Sequence, residues 1–232
     1  MGIRERKERE KEARREEIID AAEKVFFGKG VAVSTMDEVA QAAELSKGTL
    51  YLYYRSKEDL VLGVVLRGLD IMYEMFHKVV STGEPTIIRI KNLGDAYYDF
   101  FRQHRNYFRT FYFFENPQLQ SQVSDEMRDL CAASDKRIWK LVIDVIQDGI
   151  DEGMLHKGLN PMEAAVMLWS NSNGLMRLID RTNEYWTSQM GIDLVTVLRR
   201  SNAFLVEAMM SEKGKKQFGA MLEYHEEHKN EK

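Results

Sequence analysis

The chain has 232 residues, 44% hydrophobic and 30% charged, with a net charge of −4, which is typical of a soluble globular protein of one large or two small domains. No apolar run approaches the roughly 18 to 20 residues of a membrane span, and the charged N-terminus lacks the apolar core of a signal peptide. The single cysteine, Cys131, excludes an internal disulfide and fits a reducing compartment, so we expect a cytoplasmic protein.

The first predicted helix spans residues 8 to 28, because its apolar residues recur at the spacing of a core-facing helix. These residues are Ile18, Ile19, Ala22, Val25 and Phe26. Gly28 and Gly30 are expected to end the helix. Residues 1 to 15 carry seven Lys or Arg against four Glu, an excess of three positive charges. The mixed signs favour a solvated helix extension, and the alternative is an arm that contacts DNA.

Two short helices about a tight turn are predicted next. Met36, Val39, Ala40 and Ala43 share one helical face. Ser34 or Thr35 is expected to cap the first helix, and Ser46 the second. The turn falls at residues 43 to 45, and a third helix is predicted to begin at Ser56. A helix, a short turn and a second short helix form the arrangement that places the second helix in the major groove of DNA.

The second short helix carries side chains suited to that role. Leu50 and Tyr54, four residues apart, are expected to face inward. The outward residues then include lysines for phosphates, tyrosines for phosphate oxygens, a threonine for a base edge and a glycine for close backbone approach. They are Lys47, Gly48, Thr49, Tyr51 and Tyr53, with Lys57 close behind. The alternative is a purely structural helical domain.

The segment LSKGTLYLYYRSKEDL resembles the recognition-helix signature of the TetR-type (TetR/AcrR) transcriptional regulators. The resemblance extends upstream through IIDAAEKVFFGKG and TMDEVAQAA, and covers roughly residues 12 to 72. It implies a homodimeric, all-helical, ligand-responsive repressor that binds a double-stranded DNA operator. The residues that it assigns to DNA binding are Thr35, Ser46, Lys47, Gly48, Thr49, Tyr51, Tyr53 and Lys57.

Three residues depart from the family pattern. Glu44 stands where the family usually has glycine, so it is expected to adopt a left-handed conformation that costs about 1 kcal/mol. Leu52 replaces a common aromatic residue, and Tyr53 replaces a common histidine. The family's base preference is therefore not transferable to this chain.

The rest of the chain is also predicted to be helical. The third helix continues to about Val80, and an aromatic-rich segment over residues 97 to 114 ends at Asn116-Pro117. Further helices are predicted over residues 121 to 153, 161 to 180 and 191 to 210, with Pro161 as a first helical residue. We therefore expect an all-α fold with a helix-turn-helix domain at 12 to 72, its motif at about 35 to 54. A larger helical ligand-binding and dimerisation domain is expected at 73 to 232.

The aromatic residues of the second domain either fill a large core or line a cavity for an apolar or aromatic small molecule. The resemblance favours a cavity, because these regulators respond to ligands there. The candidate ligand-binding residues are Phe101, Tyr107, Phe108, Phe111, Tyr112, Trp139, Trp169, Asn173 and Arg177. The effector itself is not identified by the sequence.

Dimerisation is predicted through the helices at about 161 to 180 and 191 to 210, since a two-fold pair spaces two recognition helices one DNA turn apart. These helices either form the seam or close the core of one chain. They offer Ala164, Ala165, Leu168, Gly174, Leu175, Leu194, Leu198 and Val206. We expect no cofactor, no metal site and no catalytic residues. The alternatives are an all-helical enzyme or carrier of an apolar ligand, and a di-metal bundle, for which Glu74 and His77 form only one Glu-x-x-His.

Overall fold

The computed structural model describes residues 2–227, and within them it is all-α, as predicted. The only pairing of strand type in this range is one isolated antiparallel bridge between Leu155 and Met210. The helices are α1 (Ile3–Lys29), α2 (Met36–Ala42), α3 (Lys47–Tyr53), α4 (Lys57–Val80), α5 (Thr86–Gln103), α6 (Arg105–Phe114), α7 (Pro117–Gln120), α8 (Asp125–Asp151), α9 (Pro161–Met190), α10 (Leu194–Met209) and α11 (Glu212–Glu227).

Two helices are longer than predicted, and both extensions lack an apolar stripe. Helix α1 begins at Ile3 rather than residue 8, and Arg6 pairs with Glu10 one turn later at 2.8 Å. Pairs at this spacing stabilise a solvated helix without any core contact. Helix α9 continues ten residues beyond the predicted end, to Met190, where Gly191 ends it in the left-handed conformation (φ 65°). A glycine in that conformation is a common helix stop.

The aromatic-rich segment is divided between two helices, α5 and α6, with the break at His104. The predicted break at Asn116-Pro117 is confirmed, but Asn116 also caps the short helix α7 by accepting from the N–H of Gln118 at 3.0 Å. The long helix predicted from residue 121 therefore begins later, as α8. Pro161 is the first residue of α9, as predicted, and Asn160 caps it.

The described chain forms two compact units. Unit 1 comprises the residues up to Ile71 together with His104–Lys136, and unit 2 comprises Met72–Gln103 together with the residues from Arg137 onward. The segment 104–136 thus belongs to the same compact unit as the helix-turn-helix segment. The boundary that the sequence predicts between a DNA-binding and a ligand-binding domain, at residues 72 and 73, stays a prediction.

Unit 1 is held together by polar contacts between residues far apart in the chain. Arg67 of α4 lies 2.5 Å from Glu16, 2.6 Å from Asp20 and 3.0 Å from Glu23, all on α1. Burial opposes the charged form of Arg67 and lowers its pKa. The hydrogen bonds that Arg67 donates to Asp20 and Glu16, together with the negative charge of Glu23, more than offset burial, so the net effect is a raised pKa. The hydroxyl of Tyr107, on α6, donates to Glu23 at 2.6 Å. Helices α1, α4 and α6 therefore share one charged network.

A second long-range contact in unit 1 involves Asp59, in the first turn of α4. Its carboxylate is 2% exposed and accepts the backbone N–H of Ser124 at 2.8 Å. Ser124 directly precedes α8. The start of α4, next to the helix-turn-helix motif, is thus bonded to the start of α8, 65 residues later.

Unit 2 is built on α5, α9 and α10, which pack on one another. Asn173 is buried and accepts a hydrogen bond from the hydroxyl of Tyr97 at 3.2 Å. In the part of the chain that the structure describes, no helix combines the length and apolarity needed to cross a bilayer. Within the same residues, no group of three or more His, Cys, Asp or Glu side chains is placed to hold a metal ion.

The residues offered for a dimer seam divide into two groups. Gly174 is exposed. Several others are buried within the single chain, so for them the alternative, closing the core of one chain, is correct. These are Ala164, Ala165, Leu194, Leu198 and Val206. The sequence pattern did not separate the groups because both are small or apolar.

Candidate nucleic-acid interface

Helix α2 is fixed at its start by a reciprocal capping box. The side chain of Thr35 accepts from the N–H of Glu38, and Glu38 accepts from the N–H of Thr35 at 2.8 Å. Lys29, from the end of α1, also pairs with Glu38. These hydrogen bonds, that of Lys29 first, lower the pKa of Glu38 to about 2. The predicted cap at Thr35 is confirmed.

The turn between α2 and α3 places Glu44 at φ 55°, the only non-glycine residue with positive φ in the described chain. The left-handed conformation expected there is confirmed. Leu45 closes the turn by donating its N–H to the carbonyl of Ala40 at 2.9 Å. Ser46 then caps α3 by accepting from the N–H of Thr49 at 3.0 Å, as predicted.

The orientation of α3 is set by two buried side chains. Leu50 is fully buried and Tyr54, directly after the helix, nearly so, which confirms that both face inward. Burial raises the pKa of Tyr54 to about 12. The opposite side of α3 is open to solvent: Lys47, Gly48, Tyr51 and Leu52 are exposed, and Thr49 and Tyr53 are half-buried.

The polar groups on this side are held in place by neighbours within unit 1. Lys47 pairs with Asp37 of α2 at 2.7 Å, and that hydrogen bond raises the pKa of Lys47. The hydroxyls of Thr49 and Ser46 lie 2.8 Å apart. Lys57, half-buried, donates to the carbonyl of Ala32 at 3.2 Å, and burial lowers its pKa. The arrangement presents a hydroxyl-bearing helix face, with Lys47 ion-paired at its start, and these hydrogen bonds hold its polar side chains in place.

The predicted ligand-binding residues fall in both units. In unit 1, Tyr107 and Phe108 are buried, and Phe111 and Tyr112 are half-buried. In unit 2, Phe101 and Asn173 are buried, Trp139 and Arg177 are half-buried, and Trp169 is exposed. The structure brings two pairs together. Phe108 and Tyr112 meet edge to face with ring centroids 4.8 Å apart, and Trp139 and Trp169 do so at 5.8 Å.

The helix-turn-helix region agrees with a known family. Residues 18–64, from α1 through α2 and α3 into α4, match the family model described as "Bacterial regulatory proteins, tetR family". These residues form a TetR-family helix-turn-helix domain. The resemblance seen in the sequence to the TetR-type regulators is thus confirmed for this domain.

Curated relatives of the chain are transcriptional regulators. The chain is 22% identical over 148 residues to the HTH-type transcriptional repressor KstR2 of Mycolicibacterium smegmatis, covering 64% of this chain and 70% of that protein. It is 30% identical over 118 residues to the HTH-type transcriptional activator FasR of the same organism, covering 49% and 53%. The chain thus spans about half of FasR.

Solved structures of two transcriptional regulators share the fold. The regulator FadR from Bacillus subtilis, solved in complex with stearoyl-CoA, has a TM-score of 0.62 at 19% identity, covering 82% of this chain and 96% of that one. The ketosteroid transcriptional regulator KstR2 of Mycobacterium tuberculosis has a TM-score of 0.59 at 22% identity, covering 86% and 96%. At these identities the likeness concerns the fold.

Sequence reasoning missed two features of this face. Asp37, in the first turn of α2, forms an ion pair with Lys47 on another helix. Neither periodicity nor capping patterns indicate a contact between helices. Leu52 was noted only as a departure from the family, although its spacing from Leu50 and Tyr54 already placed it on the opposite side of the helix.

Proposed function

We propose that this TetR-family regulator is a dimeric repressor that inserts α3 into the major groove of a palindromic operator and leaves it when an apolar small molecule binds. The observation that carries this proposal is the outward face of α3. A hydroxyl-rich helix face that begins with Lys47, opposite the two buried side chains Leu50 and Tyr54, is suited to phosphate and base contacts. Repression is the role of the KstR2 relatives, whereas FasR is an activator.

Dimerisation is supported by the solvent side of α9 and α10. The side chain of Phe204, on α10, is 69% exposed, an unusual position for a phenylalanine in a protein that acts alone. Met167 and Leu178 are exposed on α9, with Gly174 between them. Apolar and small residues along two packed helices suit a self-complementary two-fold contact.

The dimer is tested by measuring molar mass with light scattering. Phe204→Asp is expected to give a monomer whose circular dichroism is unchanged, because Phe204 takes little part in the core of one chain. The matched control is Leu130→Asp, on α8, where the leucine is 48% exposed; this variant should remain a dimer. A wild-type protein of monomeric mass at micromolar concentration contradicts the proposal.

DNA binding is tested by fluorescence anisotropy with duplexes from the gene's own upstream region. Affinity should fall steeply with salt, because each phosphate contact releases counterions. Thr49→Ala and Tyr51→Ala should each weaken binding without changing the dimer, whereas Thr82→Ala, an exposed threonine in the turn after α4, should not. Equal affinities of all three variants would contradict the proposal that α3 is the helix that contacts DNA.

An apolar effector is supported by the aromatic content of unit 2 and by the relatives, since FadR was solved with stearoyl-CoA and KstR2 is named a ketosteroid regulator. We take a long acyl chain or a fused-ring lipid as the ligand class.

Stearoyl-CoA should release the operator duplex and quench tryptophan fluorescence, and CoA alone should do neither. Quenching should persist in Trp186→Phe and be lost when Trp139 and Trp169 are both replaced by Phe. Its loss only in Trp186→Phe would locate the ligand elsewhere.

A further inference from the structure

Leu52 projects from α3 directly away from the core of unit 1. At about 100° per residue, it lies about 160° around the helix axis from both Leu50 and Tyr54. Its side chain is 82% exposed, the largest fraction among the exposed large apolar side chains of the described residues. Nothing in the fold of unit 1 uses this leucine, so its apolar side chain is available to a partner.

Gly48 lies one turn before Leu52 on the same side of α3. A Cβ built on Gly48 would meet only the hydroxyl oxygen of Ser46 within 4 Å, at 3.8 Å, an ordinary contact. The fold therefore has room for a side chain at this position. A glycine within a helix destabilises it relative to alanine, and here the folded chain gains nothing from that loss. The bare backbone beside a projecting leucine indicates that a partner approaches closely along this line.

The surroundings of Leu52 indicate what the partner is. Tyr51 is exposed next to it in the sequence, Thr49 carries a hydroxyl, and Lys47 is exposed at the start of α3. An apolar protein surface would call for a wider apolar patch than one leucine among polar groups. The major groove of DNA provides a matching surface. It has anionic phosphates on both sides for the polar groups, and the C5-methyl group of thymine is an isolated apolar group on a base edge for the leucine.

We infer that Leu52 contacts a thymine methyl group in each operator half-site and so helps to determine which sequence the regulator binds. Gly48 permits the approach that brings the leucine side chain to the base edge. The inference rests on the proposed function, because it requires α3 to lie in the major groove. It adds a determinant of base preference at a position where this chain departs from its family.

The test uses the full-length protein and an operator found by selection from randomised duplexes. Each thymine of one half-site is replaced in turn by deoxyuridine, which lacks only the methyl group, and the dissociation constant is measured for wild type and Leu52→Ala. For wild type, one replacement should weaken binding about fourfold per half-site, the effect of burying one such group. Leu52→Ala should bind the thymine and deoxyuridine duplexes with equal affinity at that position. If the leucine and the methyl group are in contact, removing one abolishes the effect of removing the other, which is what a double-mutant cycle measures.

Val33→Ala is the matched control, since Val33 is another exposed aliphatic residue of unit 1 outside α3. This variant should keep the wild-type preference for thymine. The inference is overturned if wild type binds a selected operator yet ignores deoxyuridine at every position, or if Leu52→Ala discriminates as well as wild type. In either case DNA binding itself survives. A protein that enriches no duplex overturns both the inference and the proposed function.

Discussion

Replacing Gly48 with alanine tests two effects separately: the stability of the free protein and its affinity for DNA. Glycine within a helix is about 0.5–1 kcal/mol less stable than alanine, and a first-turn position lies at the low end. Since the added Cβ would meet only the Ser46 hydroxyl oxygen at 3.8 Å, the free protein should gain that stability. In a chain of this length the gain corresponds to a rise in Tm of about 1–4 °C.

The same methyl group should weaken DNA binding. If the backbone at Gly48 lies against base edges or sugars, the methyl group overfills a close contact, at a cost of about 1–3 kcal/mol. That range corresponds to a loss of affinity of roughly 5- to 150-fold per bound helix. The expected result is therefore a protein that melts higher and binds its operator less tightly.

Thermal unfolding followed by circular dichroism and anisotropy titration at fixed salt measure both effects. Gly28→Ala is the control, because Gly28 is also helical and a Cβ there meets nothing within 4 Å. This variant should raise Tm with no loss of affinity. An unchanged affinity for Gly48→Ala would refute the close approach of the backbone, and a lowered Tm would refute the account of local packing.

Three further predictions concern the residues around α3. Glu44→Gly should raise the free energy of unfolding by about 1 kcal/mol, because glycine adopts the φ of 55° without steric cost; a loss of stability in chemical denaturation would count against this. Glu38→Gln should flatten the fall of Tm on acidification. The pKa of Glu38 is about 2 when folded and 4.5 as the ordinary value, so its stabilisation is full above pH 4.5 and is lost as the pH falls towards 2. Gln also fits the capping box, so the difference from wild type should vanish at low pH. Asp37→Asn should steepen the salt dependence of DNA binding by up to about one counterion per subunit, because Lys47 is then free for a phosphate; an unchanged slope would show that Lys47 makes no such contact.

The features that the sequence predicted correctly are those fixed within a few residues. The caps at Thr35 and Ser46 and the left-handed turn at Glu44 depend on local hydrogen bonds and steric limits, which residue types disclose. The inward facing of Leu50 and Tyr54 follows from helical periodicity alone. Local chemistry was therefore enough to outline the candidate interface before its contacts were known.

The features that it did not predict depend on contacts between distant residues or on solvated helix without an apolar stripe. The ion pair of Lys47 with Asp37 joins two helices, and the bond of Asp59 to Ser124 spans 65 residues. The solvated ends of α1 and α9 have no periodic pattern to extend. Ala164 and Gly174 look alike as small residues, and only packing shows that one is buried and the other exposed.

The contacts of Asp59 and Glu23 have a consequence for building hybrid regulators. Joining the first 72 residues of this chain to the effector region of another family member would replace both Ser124 and Tyr107. The carboxylate of Asp59 would then need a new N–H donor from the foreign segment, and Glu23 a new hydroxyl. A foreign effector region that supplies neither group would have to be combined with residues 104–136 of this protein. A working exchange then needs three junctions, one after residue 72 and one at each end of that segment, rather than a single junction.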